Sequence, residues 1–80
     1  MKFYYTYVLR CADGTLYVGF THDLKARLRG HKEGKVPTTR IRLPVELVYY
    51  EACRSETAAI AREKQLKTGF GRAYLKRRLS

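Results

Sequence analysis

Two charged residues in the first helical stretch stand where an apolar stripe should continue. Leu24, Arg27, Leu28 and His31 recur at i, i+3, i+4 and i+7, so a guanidinium and an imidazole lie one turn apart on the flank of two leucines, facing a sheet edge. Such a pair can grip a phosphate and help move a proton. Equally, an arginine stem can pack over a core with its head in water beside a satisfied histidine. A later stretch repeats the anomaly with opposite sign, because Glu63 is i+4 from Ala59, i+3 from Ile60 and i−3 from Leu66. A carboxylate within an apolar face needs a cation, either a metal ion or a nearby arginine such as Arg27. Glu46, Glu51 and Glu56 show no such placement.

Tyr7 and Tyr17 flank a candidate hairpin, and the length of its turn decides whether they cooperate. A two-residue turn at 13–14 sets Tyr17 opposite Arg10 and Tyr7 on the other face. A three-residue turn at 12–14, with Gly14 left-handed, pairs Tyr17 with Leu9 and places both phenols on one face. Tyr4, Tyr5, Tyr49, Tyr50 and Tyr74 read as packing or surface aromatics.

The elements that would position these groups follow from hydropathy period and turn chemistry. Residues 3–10 and 16–20, dense in Tyr, Val and Phe, predict a hairpin. Thr21 as cap and Gly34 as stop bound a first helix at about 22–33. Residues 35–44 hold both prolines and several Arg and Thr, predicting a basic irregular loop, and 45–53 a third strand. Ser55 caps a second helix at about 56–68, and Gly71 precedes a third at 72–79. The order β-β-α-β-α-α predicts an α+β fold, a small three-stranded sheet flanked by helices, in a single domain spanning 1–80.

The chain carries 17 Lys+Arg against 7 Asp+Glu, a net charge of +10 shared equally by its two halves, which excludes a detachable basic arm and points to a folded body that attracts polyanions. An apolar fraction of 45%, with seven Tyr and three Phe, argues against disorder. No stretch spans a bilayer or reads as a signal peptide, so the cytoplasm is the expected compartment and no membrane partner is expected. Cys11 and Cys53 have no metal spacing and read as reduced, semi-buried thiols near strand ends.

At four places in order the residues resemble the GIY-YIG nuclease superfamily, and specifically its small stand-alone bacterial members. Tyr5-Thr6-Tyr7 resembles the first signature, keeping its tyrosine, and Tyr17-Val18-Gly19 the second. The run from Asp23 to His31 is similar to the family's D/N-L-x-x-R-L-x-x-H helix, and the run from Ala61 to Lys67 to the helix bearing its metal-binding glutamate. The strand Leu47-Val48-Tyr49-Tyr50-Glu51 and the closing Thr68-Gly69-Phe70-Gly71-Arg72 also resemble the small stand-alone group. Phe20 stands where many family nucleases have Lys.

The resemblance implies a divalent-metal-dependent endonuclease. Glu63 would hold one cation, Mg2+ or Mn2+, acting as Lewis acid. Arg27 would clamp the scissile phosphate. Tyr17 would be the general base, a role that needs its phenol pushed toward phenolate by nearby positive charge, with Tyr7 beside it positioning water or base. His31 would orient a phosphate oxygen or assist proton transfer. Lys35, Arg40, Arg42, Lys64, Lys67 and Arg72, with Lys76, Arg77 and Arg78, are candidates for gripping the backbone. DNA stands ahead of RNA as substrate, with no small-molecule cofactor and a monomer or weak dimer expected. A non-catalytic nucleic-acid-binding module on the same scaffold is the alternative, and a protein-interaction domain a third.

Overall fold

The computed structural model describes residues 2–79. Its elements are β1 (Tyr4–Cys11), β2 (Leu16–Thr21), α1 (Leu24–Lys32), α2 (Pro37–Arg40), β3 (Val45–Cys53), α3 (Glu56–Leu66) and α4 (Gly69–Leu79). The α+β class and the β-β-α-β-α-α order hold, with one added turn. Residues 35–44 are not wholly irregular: Pro37, its φ already helical, starts the single turn α2 after the extended Val36.

The three strands form one antiparallel sheet in the order β2-β1-β3. Leu9 pairs with Tyr17, the Cys11 N–H donates to the Thr15 carbonyl at 2.8 Å, and Gly14 has φ +85°. The turn therefore has three residues, and Tyr7, Leu9, Tyr17 and Gly19 share one face. That face packs against Leu24 and Leu28 of α1, while Val8 and Val18 on the other face pack against Leu66 of α3 and Leu75 of α4. Covered on both sides, β1 is buried from Thr6 through Leu9. A register shift after Val8 gives β3 one extra residue, so that Val45 and Leu47 join Leu9 and Cys11 while Val48 and Tyr49 both face α4.

Helix ends differ from expectation in two places. Asp23 caps α1, its carboxylate accepting the Ala26 N–H at 3.1 Å, whereas Thr21 accepts the Asp23 N–H at 3.1 Å and orients the cap from outside. Ser55 caps α3 as expected, accepting the Ala58 N–H. α4 begins three residues earlier than the expected 72, at Gly69, and folds tightly onto α3, because a Cβ on Gly71 would lie 2.3 Å from the Leu66 Cα. Both cysteines are free thiols at strand ends, Cys11 buried and Cys53 partly so. Among the described residues no helix is long and apolar enough to cross a membrane.

Candidate active site

The site forms on the face where Tyr7 and Tyr17 point the same way. Tyr7 lies directly opposite Gly19, and a Cβ there would come within 2.4 Å of the Tyr7 Cζ and Oη. The missing side chain lets the ring lie across β2, which carries the phenol toward the edge of the sheet. There the Tyr7 hydroxyl meets His31 Nε2 at 2.8 Å and accepts a hydrogen bond from Arg27 Nε at 3.2 Å. The other imidazole nitrogen, Nδ1, meets the Thr39 hydroxyl of α2 at 2.8 Å. Tyr17 closes the cluster, its ring 5.1 Å from that of His31 and 6.4 Å from that of Tyr7.

The helix spacing read from sequence explains how α1 delivers two of these groups. Arg27 and His31 lie one turn apart on the flank of Leu24 and Leu28, and those leucines seat the helix on the sheet. Depth separates the members of the cluster. Tyr7, His31 and Thr39 are fully buried, Tyr17 is half-buried and Arg27 is exposed. His31, expected to orient a phosphate oxygen or assist proton transfer, is fully buried, its ring packed edge-on against those of Tyr7 and Tyr17.

Burial pushes the Tyr7 phenol above its ordinary value, against the pull of the Arg27 hydrogen bond, with the nearby Tyr17 and Glu63 charges adding to the rise. Burial, followed by the Arg27 charge, holds His31 below its ordinary value. The Tyr7 hydrogen bond first, opposed by burial and then reinforced by the charges of Tyr7 and Tyr17, strengthens the hold of Arg27 on its proton.

Glu63 approaches from α3 and differs from expectation in its partner. Its charge reaches Tyr7, but its carboxylate pairs with Lys67 at 3.0 Å, one turn along its own helix, and not with Arg27. The side chain is 20% exposed, so it is a reachable anion and not a sealed one. Among the described residues no group of three or more His, Cys, Asp or Glu assembles. One hard carboxylate combined with substrate phosphates and water nevertheless fits Mg2+ or Mn2+. The i,i+4 pair with Lys67 is worth only a few tenths of a kcal/mol and does not withhold the carboxylate from a dication.

The expected backbone grips separate. Lys67 and Arg72 line a cavity of 290 Å³ together with Tyr17. Lys35 pairs with Glu33 at 3.1 Å, and Arg42 is spent on the Thr38 carbonyl and the Thr15 hydroxyl. Arg40 and Lys64 are exposed and line none of the cavities described here. Glu51, read from sequence as unremarkably placed, is the partly buried acid of a separate cluster. Arg62 donates to both its oxygens, the Tyr49 hydroxyl donates to Oε2 at 2.5 Å, and Tyr74 stacks beneath Arg62. The shared face of Tyr49 and Glu51, two apart on a strand, was a usable signal for the phenol; nothing local indicated Arg62.

A family model described as the GIY-YIG catalytic domain matches residues 3–78. The chain belongs to the GIY-YIG family. Among relatives of this GIY-YIG chain is the UPF0213 protein SpyM50708 of Streptococcus pyogenes serotype M5 (strain Manfredo), 55% identical over 64 residues, which are 79% of this chain and 70% of that one. A UPF0213 protein of Bacillus pumilus (strain SAFR-032) is 48% identical over 66 residues, 81% of this chain and 67% of its own. The solution NMR structure of the UPF0213 protein BH0048 from Bacillus halodurans aligns with a TM-score of 0.58 and 34% identity, covering 91% of this chain and 81% of that one. A GIY-YIG domain is a nuclease domain, and nucleic acid is the substrate class it implies.

Proposed function

We propose that this chain is a divalent-metal-dependent endonuclease that hydrolyses phosphodiester bonds in DNA, working in the cytoplasm as a monomer or weak dimer and selecting branched, damaged or single-stranded structure over sequence. The observation that carries this reading is the convergence of Tyr7, Tyr17, Arg27 and His31 on one corner of the sheet, with the Glu63 charge within reach.

Each group has a task that its depth allows. Arg27, outermost, binds the scissile phosphate, its Nε tethered by Tyr7 and its terminal nitrogens turned to substrate. Tyr17 is the general base and takes the proton of the attacking water at its Oη. Tyr7 and His31 are positioning residues: the imidazole holds the Tyr7 proton, and Tyr7 holds Arg27. Glu63 holds the cation, which when bound supplies Lewis-acid stabilisation of charge on the phosphoryl oxygens and the departing alkoxide. Phe20, at the position where many members have Lys, stacks on Tyr4 with ring centroids 6.3 Å apart, on the sheet face opposite Tyr17. That departure is absorbed by packing and leaves the Tyr7–Tyr17 face intact.

The test is incubation of the purified protein with flap, fork, nicked and single-stranded DNA plus Mn2+, beside Glu63→Ala and Tyr17→Phe. Cleavage should rise through mildly alkaline pH and fall at least a hundredfold in both variants. Equal cleavage by Glu63→Ala would refute the cation role. Tight binding without cleavage by the wild type would favour the non-catalytic module.

A further inference from the structure

Two cavities run from the proposed base along the free edge of β2. The smaller, of 290 Å³, is lined by Tyr17 and Val18 from the two faces of β2 and by Lys67 and Arg72. The larger, of 540 Å³, shares Leu16 and Arg72 with it and continues to Arg10 and Lys76. Together they make one trough between the hairpin and α4, with apolar side chains such as Leu16 and Leu79 in its lining and no acid. The acids beside it, Asp13, which accepts from the lining residue Thr15, and Glu46, opposite Arg10, are themselves outside both linings. Among the described residues the ion pairs are Lys35–Glu33, Arg62–Glu51 and Lys67–Glu63, so Arg10, Arg72 and Lys76 keep their charges unpaired. Unpaired cations beside an apolar lining that includes the proposed base are the features of a receptor for an anionic polymer with apolar faces.

We propose that this trough holds an unpaired nucleic-acid strand next to the scissile bond, with phosphates on Arg10, Arg72 and Lys76 and sugar or base faces against the leucines. This rests on the endonuclease reading, since the trough begins at Tyr17, and it narrows the substrate class to one with a single-stranded segment. A duplex presents its phosphates outward with its bases stacked inside, so it cannot fill an apolar-lined hollow and does not bring phosphates to the cations within it. A lipid headgroup satisfies the cations as well, but gains nothing from a trough that ends at a phenol.

The experiment measures binding with no cleavage required. Fluorescence anisotropy with a labelled 12-nucleotide single-stranded DNA and a matched blunt duplex, in EDTA across a salt series, compares wild type with Arg10→Ala/Lys76→Ala. Lys32→Ala/Arg54→Ala removes the same two charges from exposed positions outside the trough. The trough variant should bind the single strand at least tenfold more weakly and lose about 1.4 from its log–log salt slope, at about 0.7 per phosphate contact. Its duplex affinity should change less than threefold, and the control should change less than threefold on both. Thermal unfolding of both variants confirms that they fold; should the trough variant fail, Arg10→Gln and Lys76→Gln singly replace it, each losing about half that slope. Equal losses in trough and control variants, or no loss in the trough variant, overturn the proposal. So does loss confined to phosphatidylserine vesicles, which would assign the surface to a membrane. Trough-dependent binding without hydrolysis by the wild type would sink the nuclease reading and leave the trough standing; full hydrolysis at unchanged KM in the trough variant would do the reverse.

Discussion

Replacing Tyr7 by Phe removes one oxygen and exposes how the site is built. That hydroxyl is 2.8 Å from His31 Nε2 and 3.2 Å from Arg27 Nε, and both it and the imidazole are fully buried. Deleting it leaves Nε2 without a partner in a place water does not reach. An orphaned buried polar group costs about 1–3 kcal/mol, so a loss of about 2 kcal/mol is expected. For a domain of this size that lowers Tm by about 10 °C. Urea unfolding followed by circular dichroism measures it, and a double-mutant cycle gives the sharper test. In Tyr7→Phe/His31→Phe the orphan disappears with its partner, so the double variant should be more stable than the summed single losses by about 1 kcal/mol. Activity should fall about tenfold in Tyr7→Phe, because Arg27 loses its tether while Tyr17 and Glu63 remain. Additive stabilities to within about 0.3 kcal/mol would refute the reasoning, since the two side chains would then not be coupled.

Gly19→Ala places a Cβ against the Tyr7 ring and should cost about 1–3 kcal/mol by overpacking, with cleavage falling in parallel; an unchanged urea midpoint would show that the ring does not cross Gly19. His31, with its pKa held below 6.5, is neutral in the fold while the unfolded chain takes up a proton as pH falls below that value. Stability should therefore decline with acid from about pH 6.5 down to the folded pKa, by at most about 1.4 kcal/mol per unit, and His31→Gln should flatten that slope between pH 7.5 and 5. Arg62→Ala strips Glu51 of its main counter-charge in a site where burial pushes the carboxyl up and Arg62 and Tyr49 pull it below its ordinary 4.5. A loss of about 2 kcal/mol at pH 7 is expected, shrinking as pH falls through the Glu51 pKa, with catalysis per folded molecule unaltered.

The parts of the site that were legible in the sequence are those where a residue type conflicts with its local period. Arg27 and His31 break an apolar stripe, and the structure sets both against Tyr7. The hairpin alternatives are physically distinct, and only the Leu9–Tyr17 register decides between them, because a glycine at 14 serves either turn. Thr21 and Asp23 are both good caps two residues apart, and local propensity does not rank them. The partner of Glu63 was available as an i,i+4 Lys, but an apolar-face reading looks outward from the helix and passes over it. The depth of His31 was hidden for another reason. It depends on Thr39, delivered by a one-turn helix too short to show a period.

That depth bears on how the chemistry is divided. Among the described residues every buried side-chain nitrogen or oxygen has a partner, so the chain Thr39–His31–Tyr7–Arg27 carries little desolvation cost beyond that of burial itself. Its inner three members come from α2, α1 and the central strand, and all three side chains are fully buried. The outer members are less constrained: Arg27 is exposed, and Glu63 is held by a weak pair on its own helix. On the proposed reading, a phosphate arriving at this corner would meet a guanidinium whose Nε is already bonded to Tyr7 and a carboxylate whose lysine pair costs little to break. Preorganisation where direction matters, with looseness where ions exchange, is what a small sheet with one glycine at its edge can supply.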